Sequence, residues 1–264
     1  MTKKNAAVNL VETPSKDSVP VVTHYGSPLY ETIKSVYQVV LQNLILMLPK
    51  ISETRLAANK TMAFLKAWHY LSRAGITGDY LEFGVFRGVS FQLALRSAGK
   101  FFPRRLPTSP RFFAFDSFAG LPEIHQDRDS NVFQAGQYRS SQERFWRGIR
   151  RAARGWQVKA IPGFFNDSLH SGLASQLELR HAAFVTIDCD LYEGTWDVLR
   201  FVSPLLSTGS ILYFDDWYSS GGDMQLGEAG ACREWLAQNP HFSLHDYGNV
   251  GIMGKMFIVN RTDR

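Results

Sequence analysis

The sequence predicts an α/β fold, a doubly wound and mostly parallel sheet of seven strands preceded by helices. Three observations predict it. Five short apolar runs alternate with helical or loop segments after residue 78, the pattern of strands buried on both faces. A chain of 264 residues, 45% hydrophobic and 20% charged, suits one domain with a substantial core. Two of the runs end in acids: Phe184–Ile187 leads into Asp188, and Ile211–Phe214 into Asp215 and Asp216. In open parallel sheets the ligand crevice lies beyond the carboxyl ends of the strands, so acids there face a site.

Residues 1–27 read as a flexible arm, with Lys3, Lys4, Pro14, Lys16 and Pro20 and little hydrophobic periodicity. Residues 28–264 read as a single domain, with a helical cover over 28–75 and the sheet core over 79–264. The cover holds two helices, about Pro28 to Leu48 and Glu53 to Ala74. The second has Leu56, Met62, Ala63, Leu65, Ala67, Trp68 and Leu71 at helical spacing. Their apolar faces must cover either the sheet or a second subunit, which leaves a homo-oligomer through these helices open. Gly75 and Gly78 stop the second helix. Strands follow at Tyr80–Phe83, Phe112–Phe115, Trp156–Ile161, Phe184–Ile187 and Ile211–Phe214, with a helix over Phe91–Ala98 after the first. After a helix near Ala229–Gln238, Phe242–His245 and Lys255–Val259 read as two closing strands, a hairpin at one edge.

Composition excludes several classes. The most apolar N-terminal stretch, Val36 to Leu48, is broken by Gln38, Gln42 and Asn43 and is too short to cross a bilayer. No basic-then-apolar leader opens the chain, and the two cysteines, Cys189 and Cys232, have neither metal-type spacing nor a disulfide framework. A reducing cytoplasm is the expected setting. Cys189 reads as a small buried hydrophobe, since nothing cationic adjoins it.

The turn after the first strand is Glu82-Phe83-Gly84-Val85-Phe86-Arg87-Gly88-Val89-Ser90. Glycine there permits close backbone approach, and the N–H groups of the following helix start can receive an anion. Two glycines four apart fall short of the full dinucleotide fingerprint, and a mere tight turn is the competing reading. The second strand ends in Asp116, where an acid in such folds accepts hydrogen bonds from ribose hydroxyls. A third strand end, Gly163-Phe164-Phe165-Asn166-Asp167, offers an aromatic ring and polar groups where a purine would lie; the alternative is that Asp167 caps a helix. Asp188, Asp215 and Asp216 supply oxygen donors from two neighbouring strands, a set suited to a hard cation such as Mg²⁺. Against that stands the habit of Asp to start turns and cap helices at strand ends.

The blocks Tyr80-Leu81-Glu82-Phe83-Gly84-Val85-Phe86-Arg87-Gly88, Asp116-Ser117-Phe118-Ala119-Gly120-Leu121-Pro122, Ile187-Asp188-Cys189-Asp190-Leu191-Tyr192-Glu193 and Asp215-Asp216-Trp217 resemble the macrocin O-methyltransferase family, in the family's order. The likeness runs from about Gly75 to Gly222. It implies a class I, Rossmann-like methyltransferase fold that binds S-adenosylmethionine and, with Mg²⁺, methylates a sugar hydroxyl of a natural product. By the same resemblance Glu82, Gly84, Gly88 and Ser90 surround the methionine end of the cofactor, and Asp116, with Ser117 beside it, takes the ribose. Gly163, Phe164 and Asp167 complete the expected cofactor set, and Asp188, Asp215 and Asp216 are the implied metal ligands. The segment Gly227–Glu234 only loosely matches the family's basic, alanine-rich helix.

Methyl transfer from a sulfonium is an in-line displacement, and a neutral hydroxyl needs activation and a proton acceptor. Asp188 and Asp190 are the candidate bases, with His125 as an outsider whose ordinary reading is a solvated loop side chain. Catechol-type enzymes place a lysine three residues after the first metal aspartate; here that position is Leu191. The long polar loop Leu121–Arg139 is a candidate cover over the site. Tyr192, Trp217 and Tyr218 read either as a stacking wall for an acceptor or as packing. The net charge of +5 is concentrated where Arg139, Arg144, Arg147, Arg150, Arg151 and Arg154 crowd one expected helix. A solvated face is its default reading; an anionic acceptor, a membrane surface and, last, nucleic acid are the alternatives. The expected activity is O-methylation of a sugar or polyhydroxylated small molecule. A phenolic acceptor, or cofactor binding without turnover, is the competing reading.

Overall fold

The computed structural model describes residues 52–263 apart from Gln126, and in the N-terminal part Thr32, Val36, Val39 and Val40, which are helical. The chain divides into two compact units, Met1–Lys50 and Ile51–Arg264. The arm expected over 1–27 and most of the helix expected over 28–48 lie outside the described residues. In the second unit the described strands are β1 (Asp79–Phe83), β2 (Phe112–Asp116), β3 (Val158–Pro162), β4 (Ala182–Ile187), β5 (Ile211–Phe214), β6 (Phe242–Val250) and β7 (Gly254–Arg261). They form one seven-stranded sheet in the order β3-β2-β1-β4-β5-β7-β6. β1 to β5 run parallel, and β7 is antiparallel to both β5 and β6. The expected doubly wound sheet with an edge hairpin is therefore present. Only strand ends differ: Trp156 precedes β3, and β6 continues past His245.

Alternation sorts the strand residues between two layers. Tyr80, Phe112, Ala114, Phe184 and Ile211 face one core, and Leu81, Phe83, Phe113, Phe115, Val185 and Leu212 face the other. Helices α1 (Ser52–Arg73), α2 (Val89–Ala98) and α3 (Gln142–Ile149) cover the first face. After the short turns α4 (Phe165–Ser168) and α5 (Leu173–Gln176), α6 (Tyr192–Val202) and α7 (Gly227–Gln238) cover the second.

The apolar face of α1 packs on the sheet. Phe64, Ala67, Trp68 and Leu71, spaced i, i+3, i+4 and i+7, are fully buried. The Phe64 ring lies 5.3 Å from Phe184, and Trp68 lies 5.9, 5.8 and 5.7 Å from Tyr80, Phe112 and Phe184. The expected stripe is thereby corrected: Met62 is 65% exposed and Phe64 takes the core position. Two residues along a helix turn the side chain by about 200°, so both cannot face the sheet.

Trp68 anchors this contact. Trp68→Ala is expected to lower stability by about 3–5 kcal/mol through the cavity it leaves. Trp68→Phe is expected to cost far less, because the Trp68 indole N–H is buried without a hydrogen-bond partner among the described residues. Urea titration checks both, and equal losses would contradict the packing.

Candidate active site

Beyond the carboxyl ends of β1 to β5 lies a cleft of about 1060 Å³. β4 and β5 stay in register to Ile187 and Phe214, their last residues, so the acids that follow emerge side by side. Asp188, Asp190, Asp215 and Asp216 all line the cleft. One carboxylate oxygen from each of Asp188, Asp215 and Asp216 lies within 4.8 Å of the others, a spacing at which a small hard cation can join three oxygen donors. Lys60, from α1, reaches the same place, with Nζ 2.9 Å from both oxygens of Asp215. Tyr213 donates its phenolic O–H to Asp215 as well.

Crowding governs the charge state here. Burial, and then the charge of Asp215, raises Asp188 well above the usual carboxylate range. Burial followed by the charge of Asp216 pushes Asp190 up to about 9. Asp216 is raised to about 6, again by burial first and Asp215 next. Burial pulls the Lys60 ammonium down, but Asp215 and Asp188 hold it above its ordinary value. A set of acids this reluctant to ionise together is suited to a cation, and one side-chain cation already sits on it.

The β1 turn is built by close approaches. Gly84 has φ +85°, and a Cβ there would stand 1.8 Å from the Asp188 carbonyl oxygen, so only glycine lets the β1 and β4 ends meet. Gly88 serves a different contact than expected. A Cβ on it would meet Ile149 Cγ2 at 2.7 Å, so its bare face seats α3 and does not line the cleft. Asp116 lines the cleft, and its Oδ2 accepts the N–H groups of Val85 and Phe86 at 2.8 Å each while Oδ1 accepts that of Phe118. It thus shapes the turn. Ser117 lines the cleft and turns its hydroxyl to the Gly120 carbonyl. Glu82 lies beneath the turn, fully buried, accepting the hydroxyls of Ser90 and Tyr80. Ser90 lines the cleft; Glu82 supports it from behind.

At the β3 end Gly163 and Phe164 line the cleft. Asp167 does not: it is exposed, and its neighbour Asn166 faces inward. The helix-cap alternative fares no better, since the cap position of α4 is Phe164. Tyr192, Trp217 and Tyr218 also stay out of the lining. Tyr192 lies under the Arg128 guanidinium at 4.6 Å, and Trp217 packs on Phe214 and Phe257 at 4.9 and 4.8 Å. Phe86, Tyr138 and Phe164 are the aromatic residues that reach the cleft with Phe165.

The loop after β2 is tied down at its middle. Buried Asp129 accepts the Tyr192 N–H at 2.7 Å and the His125 N–H at 3.2 Å. It thereby caps α6, whose own cap position is Leu191, a side chain without an oxygen. These bonds anchor the described middle of the loop, and His125 lines the cleft. The arginine-rich run is a helix only over Gln142–Ile149, capped by the Ser141 hydroxyl, and the chain turns after it. All six arginines are exposed and none lines the cleft.

Lys60, Asp129 and Glu228 are the site residues that the sequence reading missed. Lys60 and its partner are 155 residues apart, and the only local signal is its position four residues before Phe64 on the buried stripe of α1. Cys189 is buried as expected, and burial raises its thiol well above the ordinary value.

A profile of the macrocin-O-methyltransferase (TylF) family matches residues 34–228. The 8-demethyl-8-(2,3-dimethoxy-alpha-L-rhamnosyl)-tetracenomycin-C 4'-O-methyltransferase of Streptomyces olivaceus is 30% identical over 205 residues, 71% of this chain and 65% of that protein. The demethyldecarbamoylnovobiocin O-methyltransferase of Streptomyces niveus is 30% identical over 153 residues, 54% of this chain and 53% of that one. The chain thus spans between half and two thirds of the length of these relatives. The crystal structure of CalS11, a calicheamicin methyltransferase, superposes with a TM-score of 0.59 at 19% identity, over 93% of this chain and 99% of that one. That likeness establishes the Rossmann-like α/β fold.

Glu82 carries a pH-dependent part of the stability. Burial, offset by the Ser90 and Tyr80 hydroxyls and by Lys60, raises it to about 7. A raised folded pKa favours the neutral form, so this contribution is complete below the unfolded value of about 4.3 and is lost as pH rises through the folded value. Glu82→Gln stays neutral throughout. Its melting temperature is expected to fall less than that of the wild type between about pH 4.5 and pH 8. Parallel profiles in thermal scans would remove Glu82 as the source.

Proposed function

The chain belongs to the macrocin O-methyltransferase family, and we propose that it transfers the methyl group of S-adenosylmethionine to a hydroxyl of a sugar or other polyhydroxylated small molecule. The observation that carries this reading is the single cleft into which the β1 turn, Asp116 and the four acids of β4 and β5 all open. The curated relatives are named as O-methyltransferases of a rhamnosyl tetracenomycin and of a novobiocin precursor.

The β1 turn from Gly84 to Ser90 is the proposed seat of the methionine end, with Asp116 and Ser117 towards the ribose and Gly163 and Phe164 towards the base. Asp116 spends three acceptor positions on backbone N–H groups, so its carboxylate keeps limited capacity for a ribose hydroxyl and its first task is to hold the turn. Asp188, Asp215 and Asp216 are the proposed ligands of Mg²⁺, for which Lys60 would have to leave Asp215. When bound, the cation would supply positive charge that lowers the acceptor hydroxyl's pKa and orients it. Asp190 is the proposed proton acceptor. It lines the cleft two residues after Asp188 and is not one of the three proposed ligands; the cation's positive charge would favour the ionised form that accepts a proton. Asp188 is the alternative base, but its place in the ligand set leaves it less free. In the transfer the acceptor oxygen forms the new bond to the methyl carbon and the sulfur keeps the electron pair of the bond that breaks. The hydroxyl proton passes to the aspartate.

Charge in the cleft bears on the acceptor. Lining carboxylates outnumber the lining cations Lys60, Arg87 and Arg96, and the exposed arginines of α3 stand outside. A neutral polyol fits this better than an anionic acceptor, because a phosphate would meet more negative than positive charge. Among the described residues no helix is long and apolar enough to cross a membrane.

The test is incubation with methyl-labelled S-adenosylmethionine and a panel of glycosides, free deoxysugars and phenols, with mass analysis of the products. Label is expected on a sugar hydroxyl; transfer to phenols alone would replace this acceptor class. Chelation, or Asp215→Asn, is expected to lower the rate roughly 10²-fold or more, the equivalent of the few kcal/mol a bound cation supplies. Added Mg²⁺ should restore the chelated wild type. A rate that survives full chelation would leave direct base catalysis by Asp190 as the better account.

A further inference from the structure

The parallel ladder between β4 and β5 ends at Ile187 and Phe214, and its last backbone bond runs from the Asp215 N–H to the Ile187 carbonyl at 2.9 Å. Past that point the two segments separate: the Asp188 N–H still pairs with the Phe83 carbonyl of β1 at 2.8 Å, but those of Cys189 and Asp216 turn to a side chain. Glu228 takes both. Its Oε1 accepts the Cys189 N–H at 3.2 Å, and its Oε2 accepts the Asp216 N–H at 2.9 Å. Glu228 is fully buried in the first turn of α7 and does not line the cleft. One carboxylate therefore replaces the missing rung of the ladder, from behind the acids that face the site.

The backbone on either side needs such a tie. Asp190 has φ +62°, a left-handed conformation that costs a non-glycine residue energy, and the Leu191 N–H turns back on the Cys189 carbonyl at 2.6 Å. Cys189 is the residue before that strained turn, and Asp216 is itself one of the crowded acids. No other fully buried acid among the described residues joins the two segments.

We propose that Glu228 is a positioning residue that sets the separation between Asp188 and Asp190 on one side and Asp215 and Asp216 on the other, by tying both segments to the start of α7. This rests on the reading of the cleft as a methyl-transfer site. A glutamate is required because both acceptors are spent on N–H groups. A glutamine in its place offers one oxygen and points an N–H₂ at the other backbone N–H.

The experiment compares wild type and Glu228→Gln in three measurements: S-adenosylhomocysteine affinity, Mn²⁺ affinity by calorimetry, and steady-state kinetics. S-adenosylhomocysteine affinity is expected to stay within about twofold, because its proposed seat is on β1 and β2. Removal of a group that orients ligand-bearing segments typically costs about 10- to 100-fold in metal affinity or activity. A loss of that size is expected in Mn²⁺ affinity and in kcat, with little change in the acceptor KM. The proposal is overturned if the variant keeps wild-type Mn²⁺ affinity and kcat, or if S-adenosylhomocysteine affinity falls in parallel with them, the mark of a merely structural role. A wild type that binds no Mn²⁺ removes the metal reading instead, and the kcat ratio alone then decides. Should the variant not fold, amide hydrogen exchange in the wild type decides: slow exchange at Cys189 and Asp216 supports the tie, and exchange at the rate of free amides overturns it.

Discussion

Like charges gathered where β4 and β5 end repel one another, and two unit charges 4 Å apart near a protein surface interact by about 4 kcal/mol. Much of the second unit can be understood as an answer to that repulsion. Burial alone would make it worse, and it does raise Asp188, Asp190 and Asp216 together. The compensation comes from elsewhere in the chain. Lys60 stands four residues before Phe64, so the helix face that seats Phe64, Trp68 and Leu71 on the sheet also delivers an ammonium to Asp215. The packing of α1 and the charge balance of the cleft are one arrangement.

The β1 turn obeys a second constraint that meets the first at Gly84. Its missing side chain lets the β4 end pass at contact distance, which brings Asp188 beside the turn. Asp116 then fixes the turn through the Val85 and Phe86 N–H groups, and Glu82 fixes the start of α2 through Ser90. Conformations that ordinary residues avoid accumulate here: Phe86, Phe118, Tyr138 and Asp190 all have positive φ. Such strain persists only where surrounding bonds over-determine it, and at Phe86 and Phe118 those bonds run from the N–H groups that Asp116 accepts.

What the sequence made legible follows from range. β1, β2, β4 and β5 are buried along nearly their whole length and stand out as near-continuous apolar runs, and the acids at two strand ends could be tied to a crevice because parallel topology dictates where crevices form. Side-chain direction was legible only when one period dominated. Phe64 and Met62 were exchanged because a stripe that included both outer flanks of α1 hid the true face. Gly88 and Asp167 have plausible types in plausible positions, yet one faces α3 and the other solvent, which only packing decides. Lys60, Asp129 and Glu228 act on partners 155, 63 and 12 or 39 residues away, a range over which sequence pattern carries little.

The charge of the whole chain and the charge of its cleft have opposite sign, and this separation has a structural cause. The net charge of +5 owes much to a run whose Phe145 and Ile149 form the buried face of α3 while its arginines are exposed. The acids, by contrast, are held inward by strand ends that cannot turn them to solvent without breaking the β4–β5 register. A polyol approaching the cleft would meet carboxylates able to accept several hydrogen bonds, the loop at Asp129, and aromatic rings at Phe86, Tyr138 and Phe164. Asp129 is bonded to the first turn of α6 at Tyr192, two residues after Asp190, so the loop and the proposed base share one anchor. In-line transfer gains most from a site that is already formed, and the bonds of Asp129 to the first turn of α6 are ones the proposed site would not have to make on binding.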